Sequence, residues 1–247
     1  MEEERVVITG LGTINSIAKS VPEFYNALRE GICGIGPITV FDTTDSRTST
    51  GGEVKGLSGK DIFSSQFSVK RMSRSDMMAM AATLEALKDA GLFPVPDELL
   101  EDTGVVIGGG AGGMLECEKA YRYHHTDMNQ KVRFSRFSSL CCASSGDHIA
   151  SKLSLMGPKT TFMTACSSGA TAIGYAGDLI RNKTAKVIIA GGTEPLSRIT
   201  YASFNSLKVV DKEYCKPFDK NRQGLSLGEG AGIMILESLD HAQSRDA

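Results

Sequence analysis

Residues 159–192 read KTTFMTACSSGATAIGYAGDLIRNKTAKVIIAGG, and this stretch decides the fold class. A β-type run at 159–164 leads to a cysteine set among small residues, and an amphipathic helix pattern follows at 171–181. A second run of buried-strand type covers 186–192. A strand, a sharp turn, a helix and another strand in succession predict an α/β fold.

Similar patterns extend on both sides of this stretch. RVVITGLG at 5–12 is a β-branched strand run closed by glycines, and the segment at 102–113 is a strand run that enters a glycine cluster. Helix patterns cover residues 21–30, 75–90, 114–123 and 144–155. Gly31 and Gly91 follow the first two of these helices and are typical helix stops.

Composition and charge exclude several classes of protein. The chain has 247 residues, of which 41% are hydrophobic, and its net charge is −2 without a basic stripe. That balance does not favour nucleic-acid binding. The apolar runs are too short to span a bilayer, and the acidic start (MEEER) has the wrong sign for a signal peptide. We therefore expect a cytoplasmic protein.

Metal and nucleotide cofactors are not predicted. The six cysteines show no CxxC spacing, and the four histidines do not cluster with them, so neither a disulfide framework nor a zinc site is indicated. The glycine cluster GGGAGG at 108–113 lacks the GxGxxG order of a dinucleotide-binding loop. We interpret these glycines as a place where backbone or ligand approaches closely.

Cys166 lies between the strand run and the helix pattern. The positive end of a helix dipole favours a thiolate there, and the backbone N–H of Cys166 could face an oxyanion formed on a thioester. Small neighbours leave room for a substrate carbonyl. Residue pattern alone also allows a buried, inert cysteine, so both interpretations stay open at this point.

Several spaced motifs now carry a resemblance. VVITGLG at 6–12, the glycine cluster, TACSSGA at 164–170, AGGTE at 190–194, KPFDKNRQG at 216–224 and LGEGAG at 227–232 match in order. With these motifs the chain resembles the N-terminal half of the β-ketoacyl-[acyl-carrier-protein] synthases, in particular the elongating type. The resemblance implies one domain over residues 1–247 with a layered, thiolase-like α/β fold.

The resemblance also implies a reaction. Cys166 would take an acyl group from an acyl carrier protein and then undergo decarboxylative condensation with malonyl-carrier protein, in fatty acid or polyketide synthesis. Both groups arrive as phosphopantetheine thioesters, and no further cofactor is implied. Family members usually form dimers, so we expect a homo- or heterodimer.

One part of the family's active site is missing. Two histidines and a lysine complete that site and come from the C-terminal half, and none of the four histidines here occupies a matching position. We expect either a naturally split synthase whose second chain supplies that half, a shortened piece of a longer enzyme, or a half-domain with another role. The first two require the complementary C-terminal half, or a second ketosynthase-like chain, for activity.

Four further positions follow from the resemblance. Ala111 matches the position where a bulky side chain narrows the acyl pocket, although it is equally well explained as a small residue in a turn. Asp219, Arg222 and Glu229 match positions that brace the site through hydrogen bonds, while Gln223 stands where Asp is common. Otherwise these are solvated loop residues.

Two other functions stay open. A non-catalytic partner subunit could shape the acyl pocket of a ketosynthase dimer, although such subunits commonly lose the nucleophile. An acyltransferase or thioesterase would only load and hydrolyse Cys166, and malonyl-dependent carbon–carbon bond formation would distinguish it from a synthase.

Overall fold

A mixed β-sheet organises the chain, as a computed structural model shows for residues 4–59, 68–126 and 134–247. Its five strands are β1 (Val6–Asn15), β4 (Thr103–Gly108), β5 (Lys159–Phe162), β6 (Val187–Glu194) and β7 (Gly230–Ser238). They lie in the order β1-β7-β6-β4-β5. Strands β4, β5 and β6 run parallel, whereas β7 is antiparallel to both of its neighbours. Two short strands, β2 (Ile35–Pro37) and β3 (Thr50–Gly52), pair separately.

Two helices cover one face of the sheet. They are α2 (Arg74–Asp89) and α4 (Ser144–Lys152), and their apolar side chains share one core with alternate residues of the central strands. The helix predicted over 75–90 is confirmed, and its N-cap is Ser73. Ser73 and Asp76 form a reciprocal capping box.

The opposite face carries the helix that follows Cys166. This helix, α5 (Ser168–Arg181), packs Ala172, Ala176 and Ile180 against Val106 and Ile188 of the sheet. The sheet is thus covered on both faces, in three layers. The strand–turn–helix–strand arrangement predicted from residues 159–192 is confirmed, and α5 begins three residues earlier than predicted because a short 3₁₀ turn at Ala165–Ser167 leads straight into it.

The other helices of the described residues are α1 (Val21–Arg29), α3 (Met114–Thr126), α6 (Arg198–Ser206) and α7 (Leu239–Ser244). Helices α1 and α7 pack against the edge strand β1, and α3 packs against α6. The sequence patterns predict α1 and α3 but not α6 or α7. No helix in the described ranges is long and apolar enough to cross a membrane.

Glycine permits the close packing of α2 on β1. A Cβ atom at Gly12 would lie 1.9 Å from the carbonyl oxygen of Ala82, so only glycine lets the helix backbone rest on the strand here. β1 also continues to Asn15, beyond the predicted 5–12, because Thr13, Ile14 and Asn15 pair with the start of β7.

Candidate active site

Cys166 lies on a tight turn between β5 and α5. Its side chain is exposed, and the residue before it, Ala165, has a φ of +52°. A positive φ is costly for a residue with a Cβ atom and is found where surrounding contacts impose it, often at functional sites. The turn therefore holds the thiol outward, at the N-terminal end of a fourteen-residue helix.

Hydroxyl groups hold the turn together. Ser168 Oγ accepts the N–H of Thr164 at 2.9 Å and donates to the carbonyl of Ala165 at 2.6 Å. Ser167 Oγ donates to the carbonyl of Thr164 at 2.9 Å. These bonds satisfy backbone groups that the sharp turn leaves without partners, and they explain why serines follow the cysteine.

Three glycines let the turn sit directly on the sheet. A Cβ atom at Gly108 would lie 2.3 Å from the backbone of Ser168, and one at Gly192 would lie 3.3 Å from Cα of Gly169. The ends of β4 and β6 thus contact the first turn of α5 through backbone alone. This contact fixes the height of Cys166 above the carboxyl ends of the parallel strands.

Cys166 opens into a cleft of about 670 Å³. One wall is the turn Ala165–Ser167 that carries Cys166, called the elbow below. The other walls are the glycine residues 108–110, the end of β6, the start of β7, and side chains of α1 and α6 that include Phe24 and Phe204. The volume lies in the range of small-molecule sites, and the lining is mostly apolar with a few polar groups. The cleft is therefore suited to an acyl chain next to a thiol.

Glu194, which the sequence analysis does not single out, is one of those polar groups. Its Oε2 accepts the N–H of Gly110 at 2.7 Å. Burial raises the pKa of Glu194, and the backbone amides of Gly110 and Ala111 partly oppose the rise. The signal in the sequence is an acidic residue two positions after the predicted strand at 186–192, which ends in glycines.

Glu229 is buried and forms an ion pair with Arg74. Arg74, like Glu194, is not singled out by the sequence analysis. The carboxylate of Glu229 accepts Arg74 Nε at 2.8 Å and Nη2 at 2.5 Å. It also accepts the backbone N–H groups of Val54 at 2.9 Å and Leu196 at 3.0 Å. Glu229 thus joins four segments directly before β7 begins, and its role in bracing an active site stays a prediction.

The other predicted residues lie away from the cleft lining. Ala111 is 4% exposed, and the cleft wall is formed by the preceding glycines. Asp219 and Arg222 are exposed in one turn, where Arg222 Nη1 donates to the carbonyl of Asp219 at 2.9 Å. A pocket-narrowing position for Ala111 and a bracing role for the turn stay predictions.

Histidine and lysine are absent from the cleft lining formed by the described residues. His148 faces Asp76 and Ser139, and His241 hydrogen-bonds Glu237. His124 and His125 contact each other's rings on α3. In the described ranges no group of three metal-ligating side chains comes together. The cleft offers a thiol and a carboxylate but, from these residues, no imidazole or ammonium group.

Comparison with known proteins identifies the family. The family described as "Beta-ketoacyl synthase, N-terminal domain" matches residues 3–242. The chain is 38% identical to 3-oxoacyl-[acyl-carrier-protein] synthase 2 of Synechocystis over 100% of its own length and 61% of that protein. The chain therefore spans about three-fifths of the length of this relative.

Two solved structures of ketosynthases are similar to this chain, in agreement with the family match. The ishigamide ketosynthase/chain length factor is 32% identical with a TM-score of 0.92, and the match covers 100% of this chain and 61% of that one. A type II PKS acyl-carrier protein in complex with its ketosynthase is 25% identical with a TM-score of 0.82 and the same coverage. The expected thiolase-like fold is confirmed, and the chain belongs to the β-ketoacyl synthase family, whose N-terminal domain it carries.

Proposed function

We propose that this chain is the nucleophile-bearing part of a β-ketoacyl-[acyl-carrier-protein] synthase in fatty acid or polyketide synthesis. One observation carries the proposal: Cys166 is exposed on a strained strand-to-helix turn at the base of an apolar cleft. A cytoplasmic location fits this role, since free thiols are kept reduced there.

The reaction proceeds in two steps. The Cys166 sulfur attacks the carbonyl carbon of a carrier-bound acyl thioester, a new carbon–sulfur bond forms, and the pantetheine thiol leaves with a proton. Malonyl-carrier protein then loses CO₂, and the resulting enolate carbon attacks the acyl-enzyme. A carbon–carbon bond forms, the bond to Cys166 breaks, and the thiolate returns. No redox partner or cofactor enters this balance.

The absence of histidine and lysine from the described lining supports a need for the C-terminal half. Decarboxylation leaves negative charge on the enolate oxygen, and hydrogen-bond donors aimed at that oxygen stabilise it. Apolar side chains are exposed as well, among them Met163, three residues before Cys166, and the fully exposed Phe218. Large exposed apolar patches mark interfaces, and the C-terminal half would cover these side chains.

The carrier protein and a ketosynthase-like partner chain are the proposed partners. The compared structures include a ketosynthase with its carrier protein and a ketosynthase/chain length factor. A non-catalytic partner subunit is the second candidate function, on the strength of the latter similarity. The exposed Cys166 argues for the catalytic role, because a pocket-shaping subunit has no use for a nucleophile on a strained turn.

Intact-mass measurement tests the proposal. The chain is incubated with acyl-carrier protein, alone and together with the C-terminal half, and adduct mass is mapped to a residue. We expect an adduct on Cys166, its loss in Cys166→Ala, and its retention in Cys33→Ala, which removes another exposed cysteine. Adding malonyl-carrier protein should then release a β-ketoacyl product. Loading without carbon–carbon bond formation would indicate an acyltransferase or thioesterase, and no loading under either condition would refute the catalytic role.

A further inference from the structure

The glycine loop, residues 108–113, contributes Gly108, Gly109 and Gly110 to the cleft wall beside Cys166 and has few anchors of its own. It reads GGGAGG, and glycine loses more conformational freedom on folding than any other residue. Two backbone hydrogen bonds hold the loop on either side of residues 110–112. Gly109 N–H donates to the carbonyl oxygen of Phe162 at 3.1 Å, and Gly113 N–H donates to that of Leu140 at 3.4 Å. Between these two bonds the loop has no long side chain with which to hold itself.

Glu194 holds the middle of this loop. Its Oε2 accepts the N–H of Gly110 at 2.7 Å, and the amide of Ala111 helps to lower the pKa of the carboxyl group. A Cβ atom at Gly110 would lie 3.5 Å from Oε1 and 3.6 Å from Oε2, so the carboxylate is in van der Waals contact with this part of the loop. Hydrogen bonds to an ionised acceptor are stronger than those between neutral groups.

The register of the sheet brings Glu194 to this place. β6 pairs in parallel with β4, with Gly192 opposite Gly108, so the residue two positions beyond Gly192 reaches the loop two positions beyond Gly108. Cys142 backs the loop at Gly112, where an added Cβ atom would lie 3.0 Å from the Cys142 nitrogen. Glu194 itself lines the cleft.

We propose that Glu194 is a positioning residue that fixes Gly109 and Gly110 as part of the cleft wall and thereby selects which acyl groups Cys166 accepts. This inference rests on the proposed function for its consequence, acyl selection, but not for its geometry. Without the carboxylate, the loop would move into or away from the cleft. This movement would change the loading rates of long and short acyl chains by different factors.

Two measurements test this proposal separately from the proposed function. The first is the rate at which Cys166 is loaded from a series of acyl-carrier proteins with saturated chains of increasing length, in the presence of the C-terminal half. Glu194→Ala should change the ratio of long-chain to short-chain loading by about tenfold, the effect of losing one charge-assisted hydrogen bond. Glu194→Gln keeps one acceptor oxygen and the side-chain volume, and should restore most of the wild-type ratio.

A matched control uses a second buried glutamate. Glu53 accepts the N–H and hydroxyl groups of Thr39 and is not among the residues that line the cleft. Glu53→Ala should leave the loading ratio unchanged even if it lowers stability. An unchanged ratio in Glu194→Ala, with normal loading of the wild type, would overturn the inference and leave the proposed function intact.

The second measurement needs no catalysis. Hydrogen exchange of the Gly110 amide, followed by NMR in the intact chain, should accelerate at least about tenfold in Glu194→Ala, and Glu53→Ala should not change it. Retained protection of this amide in Glu194→Ala would refute the positioning role whatever the chain does to acyl groups. If the wild type is never loaded while the Gly110 amide loses protection in Glu194→Ala, the positioning role stands and the proposed function fails.

Discussion

Removal of one partner from the buried pair between Arg74 and Glu229 should be strongly destabilising. The Glu229 side chain is fully buried and that of Arg74 is 12% exposed. Arg74→Met leaves the carboxylate with only the N–H groups of Val54 and Leu196 out of its present donors. Breaking a buried ion pair in this way costs about 3–5 kcal/mol.

The size of the effect can be converted to a melting temperature. In a domain of 150–250 residues, 1 kcal/mol shifts Tm by about 2–4 °C, so Arg74→Met should lower Tm by about 6–20 °C. Glu229→Gln should be similarly destabilising, because the guanidinium group then lacks its anion. The double variant has neither charge and should cost less than the sum of the two, by about 1–3 kcal/mol.

Urea titration of the four proteins measures these free energies of unfolding, and a thermal melt checks the Tm values. The control is Lys186→Met, which removes a pair with Asp102 whose side chains are 57% and 38% exposed. Exposed pairs contribute at most about 1 kcal/mol. Arg74→Met costing no more than Lys186→Met, or a double variant equal to the sum, would show that Glu229 does not depend on this pair.

Three further substitutions test other contacts in the structure. Gly108→Ala puts a Cβ atom 2.3 Å from the Ser168 backbone, and should slow alkylation of Cys166 by a small reagent at least about tenfold; an unchanged rate contradicts this. Burial opposes ionisation of Glu237, but hydrogen bonds from Arg245, Thr9 and His241 outweigh it and lower its pKa from 4.5. Stability lost in Glu237→Gln should therefore be full at about pH 7 and shrink as pH falls below about 4.5, and a loss that is constant with pH contradicts this. Burial raises the pKa of Glu116, whose Oε2 lacks a hydrogen-bond partner among the described residues. Glu116→Gln should therefore stabilise the chain at about pH 7, and this gain should shrink at lower pH as Glu116 of the wild type becomes protonated. Urea titration across pH measures the free energy of unfolding of both glutamate variants.

Local patterns predict the strands and several helices because those signals lie within each element. The β-branched run before Cys166 and the small residues after it define β5, the turn and α5 without help from distant residues. Helix α6 has only a local cap signal, since Ser197 Oγ accepts the N–H of Thr200 at 3.3 Å. Glu118, on α3, also accepts the N–H groups of Arg198 and Ile199, and that contact exists only once the helices pack.

The site divides in the same way. Cys166 is predictable because its turn, its serines and its glycines are neighbours in sequence. The roles of Glu194 and Arg74 cannot be predicted in this way, because their partners are distant in sequence. Glu194 binds the backbone of Gly110, and Arg74 binds the carboxylate of Glu229. Asp219 and Arg222 match the family motif, yet in the described residues they contact each other rather than the cleft, so a motif match alone does not place a side chain.

Under the proposed function, the contacts that shape the elbow bear on how much each of the two proposed reaction steps depends on the C-terminal half. Ser167, Ser168 and the glycines at 108 and 192 set the position of Cys166, and all belong to this chain. The nucleophile's geometry is therefore complete here, whereas the groups that would stabilise an enolate are not found in the described lining. We expect acyl loading to tolerate changes in the C-terminal half better than condensation does, because loading draws on the preformed elbow and condensation draws on both halves.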